Sequence, residues 1–236
     1  MRKRRVKVIA FSGIDGAGKS TQIQALECHL RQLGFTSITY QFWDHVVAFA
    51  SLRESISRVA FRGDKGVGSP ETPINRRDKN VTSWSVTGAR LLFYIMDALS
   101  LRLILARSSH ADFIIFDRYI YDELANLPLN PWPLRLYVKA ILALSAKPDL
   151  AYLIDADPQA ARARKPEYPL EFLRRNRNAY LALCPLIGDV NVIGPLEADE
   201  ATAKVVDQFS AKCLKVSPAV LEMANSPDRP AHAPAE

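Results

Sequence analysis

The chain has 236 residues, 48% of them hydrophobic, and carries 31 Lys and Arg against 25 Asp and Glu for a formal charge of +6. That length and balance suit one large globular domain with a substantial core, and no apolar run approaches the roughly 18 residues of a membrane span. Cys28, Cys184 and Cys213 are scattered without metal-ligand spacing, which argues against a disulfide or zinc scaffold and for a reducing, cytoplasmic setting. No interleaved basic and aromatic patch accompanies the positive charge, so a membrane or a nucleic acid is not an expected partner.

Taken in order, Met1-Arg2-Lys3-Arg4-Arg5 is basic, but the apolar stretch after it is short and runs into glycine, so it reads as the approach to a strand and not as a targeting segment. Val6 to Phe11 reads as a buried strand, and Ile23, Leu26, Leu30 and Leu33 recur at helical spacing until Gly34. Ser37 to Trp43 alternates like a strand and ends at Asp44. Val46 to Phe61 reads as a helix. Gly63 to Asn80 has no periodicity and carries Arg76, Arg77 and Lys79, which fits a mobile binding loop or a solvated insertion equally.

A long helix is predicted over about Ser83 to Arg107, a strand over Phe113 to Phe116, and a proline-punctuated break around Asn126 to Pro133. Leu134 to Ala146 reads as a helix and Leu150 to Asp155 as a strand. Helical, arginine-rich sequence runs from Pro158 to Leu183 with an interruption near Lys165-Pro166. Val190 to Ile193 reads as a last strand and Glu197 to Leu214 as a closing helix. Strands that alternate with helices, each a near-continuous apolar run, predict an α/β fold: a parallel sheet covered by helices on both faces, in three layers. Ligands of such folds bind at the carboxyl ends of strands, where Gly13, Asp44, Asp117 and Asp155 fall.

The chemistry centres on Gly13-Ile14-Asp15-Gly16-Ala17-Gly18-Lys19-Ser20-Thr21, which fits the phosphate-binding loop pattern at every required position. Glycines let successive N–H groups converge on phosphate oxygens, and the helix N-terminus adds partial positive charge. In such a loop Lys19 reaches the β- and γ-phosphates of ATP and the Ser20 hydroxyl ligates Mg²⁺. Asp117, after a strand, is placed to sit near that Mg²⁺, and Arg118 to clamp an acceptor phosphate in bidentate fashion. An ion pair capping the next helix explains the same two residues. Arg162, Arg164 and Lys165 can close over a transferring phosphoryl group, or form a solvated helix face. Asp44 suits a base for an adjacent acceptor or a helix N-cap. Phe93 and Tyr94 suit the core, or one of them the face of a base.

The glycine loop, the Asp117-Arg118-Tyr119 box, Leu91-Leu92-Phe93, Tyr152-Leu153-Ile154-Asp155-Ala156-Asp157-Pro158 and the arginine-rich segment ending at Tyr180 together resemble thymidylate kinases, over residues 6 to about 212. The resemblance implies a P-loop kinase domain over residues 1–215 with a helical lid at about 157–175, followed by a disordered Pro- and Ala-rich tail over 216–236. It implies ATP- and Mg²⁺-dependent transfer of the γ-phosphate to a (deoxy)nucleoside monophosphate, and leaves a homodimer open. Gly13 to Thr21 would hold ATP, with Ser20 and Asp117 at the metal. Lys19, Asp15, Asp117, Arg118, Arg164 and Arg162 would be catalytic, and Asp44, Phe93, Asp97 and Arg118 would meet the acceptor.

Because position 17 is Ala and Arg164 is available, the sequence resembles the members that carry the catalytic arginine in the lid. It departs from the family where Trp43-Asp44-His45-Val46 replaces a Glu-Pro-Gly-Gly-like segment, and where Asp97 replaces the arginine that reads the thymine carbonyl. A carboxylate opposite that carbonyl sets two acceptors face to face and favours an amino-bearing base. A deoxynucleoside kinase with Asp44 as base, and a non-catalytic nucleotide-binding regulator on the same fold, are the rival expectations.

Overall fold

The computed structural model describes residues 6–47, 84–108, 110–127 and 129–214, with residues 84–90 described by their backbone only. The expected helix beyond Val47, the 63–80 loop and the 216–236 tail lie outside the described residues.

Five strands form one parallel sheet: β1 Lys7–Ser12, β2 Ser37–Gln41, β3 Phe113–Asp117, β4 Leu150–Ile154 and β5 Asn191–Ile193, in the spatial order β2-β3-β1-β4-β5. The helices are α1 Lys19–Gln32, α2 Trp84–Arg107, α3 Ile120–Leu124, α4 Trp132–Leu144, α5 Pro158–Arg164, α6 Leu170–Ile187 and α7 Ala198–Phe209. β1, β3 and β4 lack alternation because helices cover both faces of the sheet there. Ile114, Ile115 and Phe116 of β3 are fully buried, as are Ile9 and Phe11 of β1. Each such side chain contributes about 1.5–3 kcal/mol relative to exposure. Register follows from these runs: Lys7 pairs with Phe113 and Ile9 with Leu150.

Carboxylates finish the amino edge of the sheet. Val8 N–H donates to Asp149 Oδ2 at 2.9 Å, and Thr36 donates to Asp112 Oδ2 from its N–H at 3.0 Å and its hydroxyl at 2.8 Å. The opposite edge carries the loops after β1, β3 and β4, so the phosphate-loop and Asp117-Arg118 segments emerge side by side.

Several boundaries differ from the sequence expectation; α4, expected over Leu134 to Ala146, starts two residues earlier and ends two earlier, at Trp132–Leu144. The strand expected to reach Trp43 stops at Gln41, and Phe42–Val46 forms a single π-helical turn. Phe42 and Val46 are both buried, an i, i+4 pair that this turn sets on its covered face while Trp43, Asp44 and His45 between them are exposed. Gln41 is therefore the cap of that turn and Asp44 lies inside it, which corrects Asp44 as an N-cap. The arginine-rich stretch divides at Lys165 as expected, but α6 continues through Pro185 to Ile187. The closing helix is α-helical to Phe209 and ends in a π-helical turn over Ser210–Leu214.

Candidate active site

The loop between β1 and α1 is shaped by two close approaches. A Cβ on Gly13, at φ +143°, would meet Ile154 O at 2.4 Å, and one on Gly16, at φ +79°, would meet Ala161 O at 2.2 Å. Any side chain at either position would collide with rigid backbone of β4 or α5. The loop is thus wedged between the end of β4 and the helix that begins the expected lid.

Lys19, the first residue of α1, is buried and turns back over this loop. Its Nζ donates to Gly13 O and Ile14 O, both at 2.9 Å. Burial and the neighbouring Arg118 charge lower its pKa to about 8, against the opposing pull of Asp15, Asp122 and Asp117.

Arg118 leaves β3 with φ 71°, the only left-handed non-glycine residue among those described. Such a conformation costs about 1–3 kcal/mol and persists where surrounding contacts over-determine it. Those contacts are present. Arg118 N–H donates to Phe11 O at 2.9 Å, one terminal nitrogen pairs with Asp122 Oδ1 at 3.1 Å, and the other pairs with Asp15. Burial opposes the guanidinium charge, but Asp15 and Asp122 outweigh it and raise the pKa above the ordinary arginine value. The expected Asp-Arg pair at the head of the next helix exists, with Asp122 and not Asp117 as its acid.

A cleft of about 440 Å³ opens over the loop. Asp15, Gly16, Gly18, Lys19, Ser20 and Thr21 form its floor, and Asp117 and Arg118 form the wall from β3. Arg164 and Lys165 reach it from the end of α5, and Phe42 and Trp43 from the π-helical turn. A narrower polar pocket adjoins it through Asp15, Trp43 and Arg118, which line both, and continues to Asn126, Asn176 and Tyr180. Ser20 and Asp117 bring a hydroxyl and a carboxylate to one cleft. These hard oxygen donors suit Mg²⁺, which binds through one or two protein oxygens and keeps phosphates and water for the rest.

The remaining expected residues fall elsewhere. Ile14 and Ala17 are buried in the loop's support. Arg162 is half-buried on α5, and Asp44 is exposed on the π-helical turn; neither lines the two clefts. Asp97 is fully buried on α2, where its charge, after burial itself, helps raise the pKa of Tyr137 on α4. Phe93 is half-buried on the same helix, and neither of the two lines the clefts.

Sequence reasoning missed Ser12, Asp122, Trp43, Asn126 and Asn176. Asp122 had a signal, since it stands one helical turn after Arg118 with opposite charge. It also missed the bidentate pair of Arg177 with Asp155 at 2.6 and 2.7 Å, which ties α6 to the end of β4.

A parallel sheet of this order, with a glycine loop cradling a buried lysine and with Asp117, Arg118 and Arg164 around one cleft, defines a P-loop phosphotransferase. No protein-family profile matches the chain. It is 28% identical to a probable thymidylate kinase of Pyrobaculum aerophilum over 215 residues, 84% of this chain and 94% of the relative. It is 30% identical to a thymidylate kinase of Dinoroseobacter shibae over 160 residues, 67% of this chain and 68% of the relative. Among solved structures, thymidylate kinase from Candida albicans superposes with a TM-score of 0.58 at 20% identity, over 88% of this chain and 92% of that one. The enzyme from Ehrlichia chaffeensis does so with 0.53 at 19% identity, over 87% and 98%. The chain belongs to the thymidylate kinase family.

Proposed function

We propose that this enzyme transfers the γ-phosphate of ATP to a (deoxy)nucleoside monophosphate, with the loop cleft as the donor site and the adjoining pocket as the acceptor-phosphate site. The observation that carries the reading is the convergence of Lys19, Asp117, Arg118 and Arg164 on one cleft. In this reading the backbone N–H groups of Gly13 to Thr21 and the start of α1 hold the donor phosphates, and Lys19 moves from the loop carbonyls to the β- and γ-oxygens. Ser20 and Asp117 would hold Mg²⁺, which would supply charge neutralisation at the donor phosphates. Arg118 orients the acceptor phosphate, and Arg164 stabilises charge on the transferring group. The reaction is mostly positioning and electrostatics, and the cleft supplies both. The scattered cysteines fit a cytoplasmic enzyme.

Thymidylate, the substrate named for the relatives, is the first acceptor to test. The test is a panel of nucleosides and nucleoside monophosphates with ATP and Mg²⁺. Turnover of one or more monophosphates is expected. Phosphorylation of nucleosides alone would instead favour a nucleoside kinase, and ATP binding without transfer to any acceptor would favour a regulator.

We also propose a homodimer. Leu92, Met96, Leu99 and Leu103 on α2 are 67%, 37%, 47% and 57% exposed at spacings of four, three and four. That is the heptad seam by which one helix packs on an identical helix, and a two-fold axis makes such a row self-complementary.

A further inference from the structure

Asp122 accounts for the fixed side of the Arg118 fork. Its carboxylate is 4% exposed. Oδ1 accepts from Arg118 at 3.1 Å and from the Tyr180 hydroxyl at 2.6 Å. Oδ2 accepts from the Ser12 hydroxyl at 2.6 Å and from Tyr119 N–H at 3.1 Å. A carboxylate has about four lone-pair directions, and protein donors engage all of them. Nothing remains for a substrate, so any part Asp122 plays in the reaction passes through Arg118.

The four donors come from separate parts of the fold. Ser12 ends β1 just before the glycine loop, Arg118 and Tyr119 follow β3, and Tyr180 belongs to α6. That helix follows α5, whose end carries Arg164 into the donor cleft. The other Arg118 partner is different in kind. Asp15 lines both clefts and sits on the glycine loop, so one end of the guanidinium is anchored in the core and the other faces the site.

We propose that Asp122 is the positioning residue of the acceptor-phosphate site, and that the Tyr180 hydroxyl makes α6 part of that site by fixing Asp122. This rests on the monophosphate-kinase reading. The anchored nitrogen of Arg118 stays with Asp122, while the nitrogen held by Asp15 is the one an acceptor phosphate takes over. Arg118 then exchanges only Asp15 for the phosphate while its other nitrogen stays fixed on Asp122, which is where a preorganised fork gains affinity.

Tyr180→Phe keeps the buried ring and removes one hydrogen bond from the carboxylate; Ser12→Ala removes one from its other oxygen. Both are made in the full chain and checked by thermal melting. Calorimetry compares thymidylate with thymidine, or whichever panel monophosphate is turned over with its own nucleoside, and kinetics compare KM for acceptor and ATP. Losing a hydrogen bond to a charged group predicts about five- to tenfold weaker monophosphate binding in Tyr180→Phe, with nucleoside affinity and ATP KM within about twofold. Ser12→Ala is expected to shift in the same direction, and carries the test if Tyr180→Phe does not fold. Equal weakening of nucleotide and nucleoside marks a structural role only and overturns the proposal, as does unchanged monophosphate affinity in both variants. A wild-type enzyme that turns over no monophosphate overturns the kinase reading itself, and this proposal with it.

Discussion

The glycine at position 16 and the carbonyl of Ala161 are so close that the Cβ Gly16 lacks would stand 2.2 Å from that oxygen and 2.9 Å from its carbon. The glycine loop and α5 are in backbone contact, with no side chain between them. Gly16→Ala forces the two apart and also places a side chain at φ +79°. It is expected to destabilise the fold by about 1–3 kcal/mol and lower kcat by more than about tenfold. Thermal melting and steady-state kinetics on one preparation measure both. Wild-type melting with wild-type kcat would mean that the loop and α5 separate without cost.

Lys19 makes a pH-dependent prediction. Burial and Arg118 bring its pKa to about 8 from 10.5, so below pH 8 a buried charge costs stability, and that cost is relieved as pH rises from 8 to 10.5. ATP phosphates favour the protonated amine. ATP binding near pH 8.5 should therefore take up a substantial fraction of a proton, and binding near pH 6.5 almost none. Calorimetry in buffers of different ionisation enthalpy reads that number directly. Lys19→Ala should abolish the pH-dependent uptake and weaken ATP binding at least about tenfold, since it removes a charge-assisted contact.

The two arginines of α5 should separate. Arg164 lines the donor cleft and Arg162 does not. Arg164→Ala is expected to lower kcat by about 10³ or more, in the range of other transition-state arginines, with a small change in ATP KM. Arg162→Ala should stay within about tenfold of wild type. The reverse ranking, from single-turnover kinetics, would reassign the transition-state role.

Leu99→Glu puts a charge in the centre of the exposed α2 row. Sedimentation should show the wild type as a dimer at micromolar concentration and this variant as a monomer. A monomeric wild type would remove the homodimer.

The helices and strands were legible where one physical cause dominates. The runs of β1, β3 and β4 are apolar because both faces are covered, and the Gly-Lys-Ser segment has few uses other than holding phosphate. What was not legible depends on contacts distant in sequence. Phe42 belongs to a turn because it packs near Tyr119, with ring centroids 6.5 Å apart, and no local pattern around Phe42 records that partner. Asp122 and Tyr180 meet across 58 positions of chain, and only the folded sheet brings α6 over α3. Asp97, expected from its spacing after Phe93 to meet the acceptor, is fully buried on α2 and acts on Tyr137 of α4, which donates to Leu91 O, a neighbourhood that the local sequence does not record.

The placement of β1 has a consequence for how this protein is made. Both neighbours of β1 come much later in the chain, since Lys7 pairs with Phe113 and Ile9 with Leu150. At roughly 5–20 residues per second of synthesis, the central strand waits on the order of ten seconds for its partners. Through that interval the β1 segment is an unpaired apolar strand on a nascent chain, with the nucleotide loop unformed beside it. Yield of active enzyme should therefore depend on translation speed and on holdase chaperones more than on the stability of the finished fold.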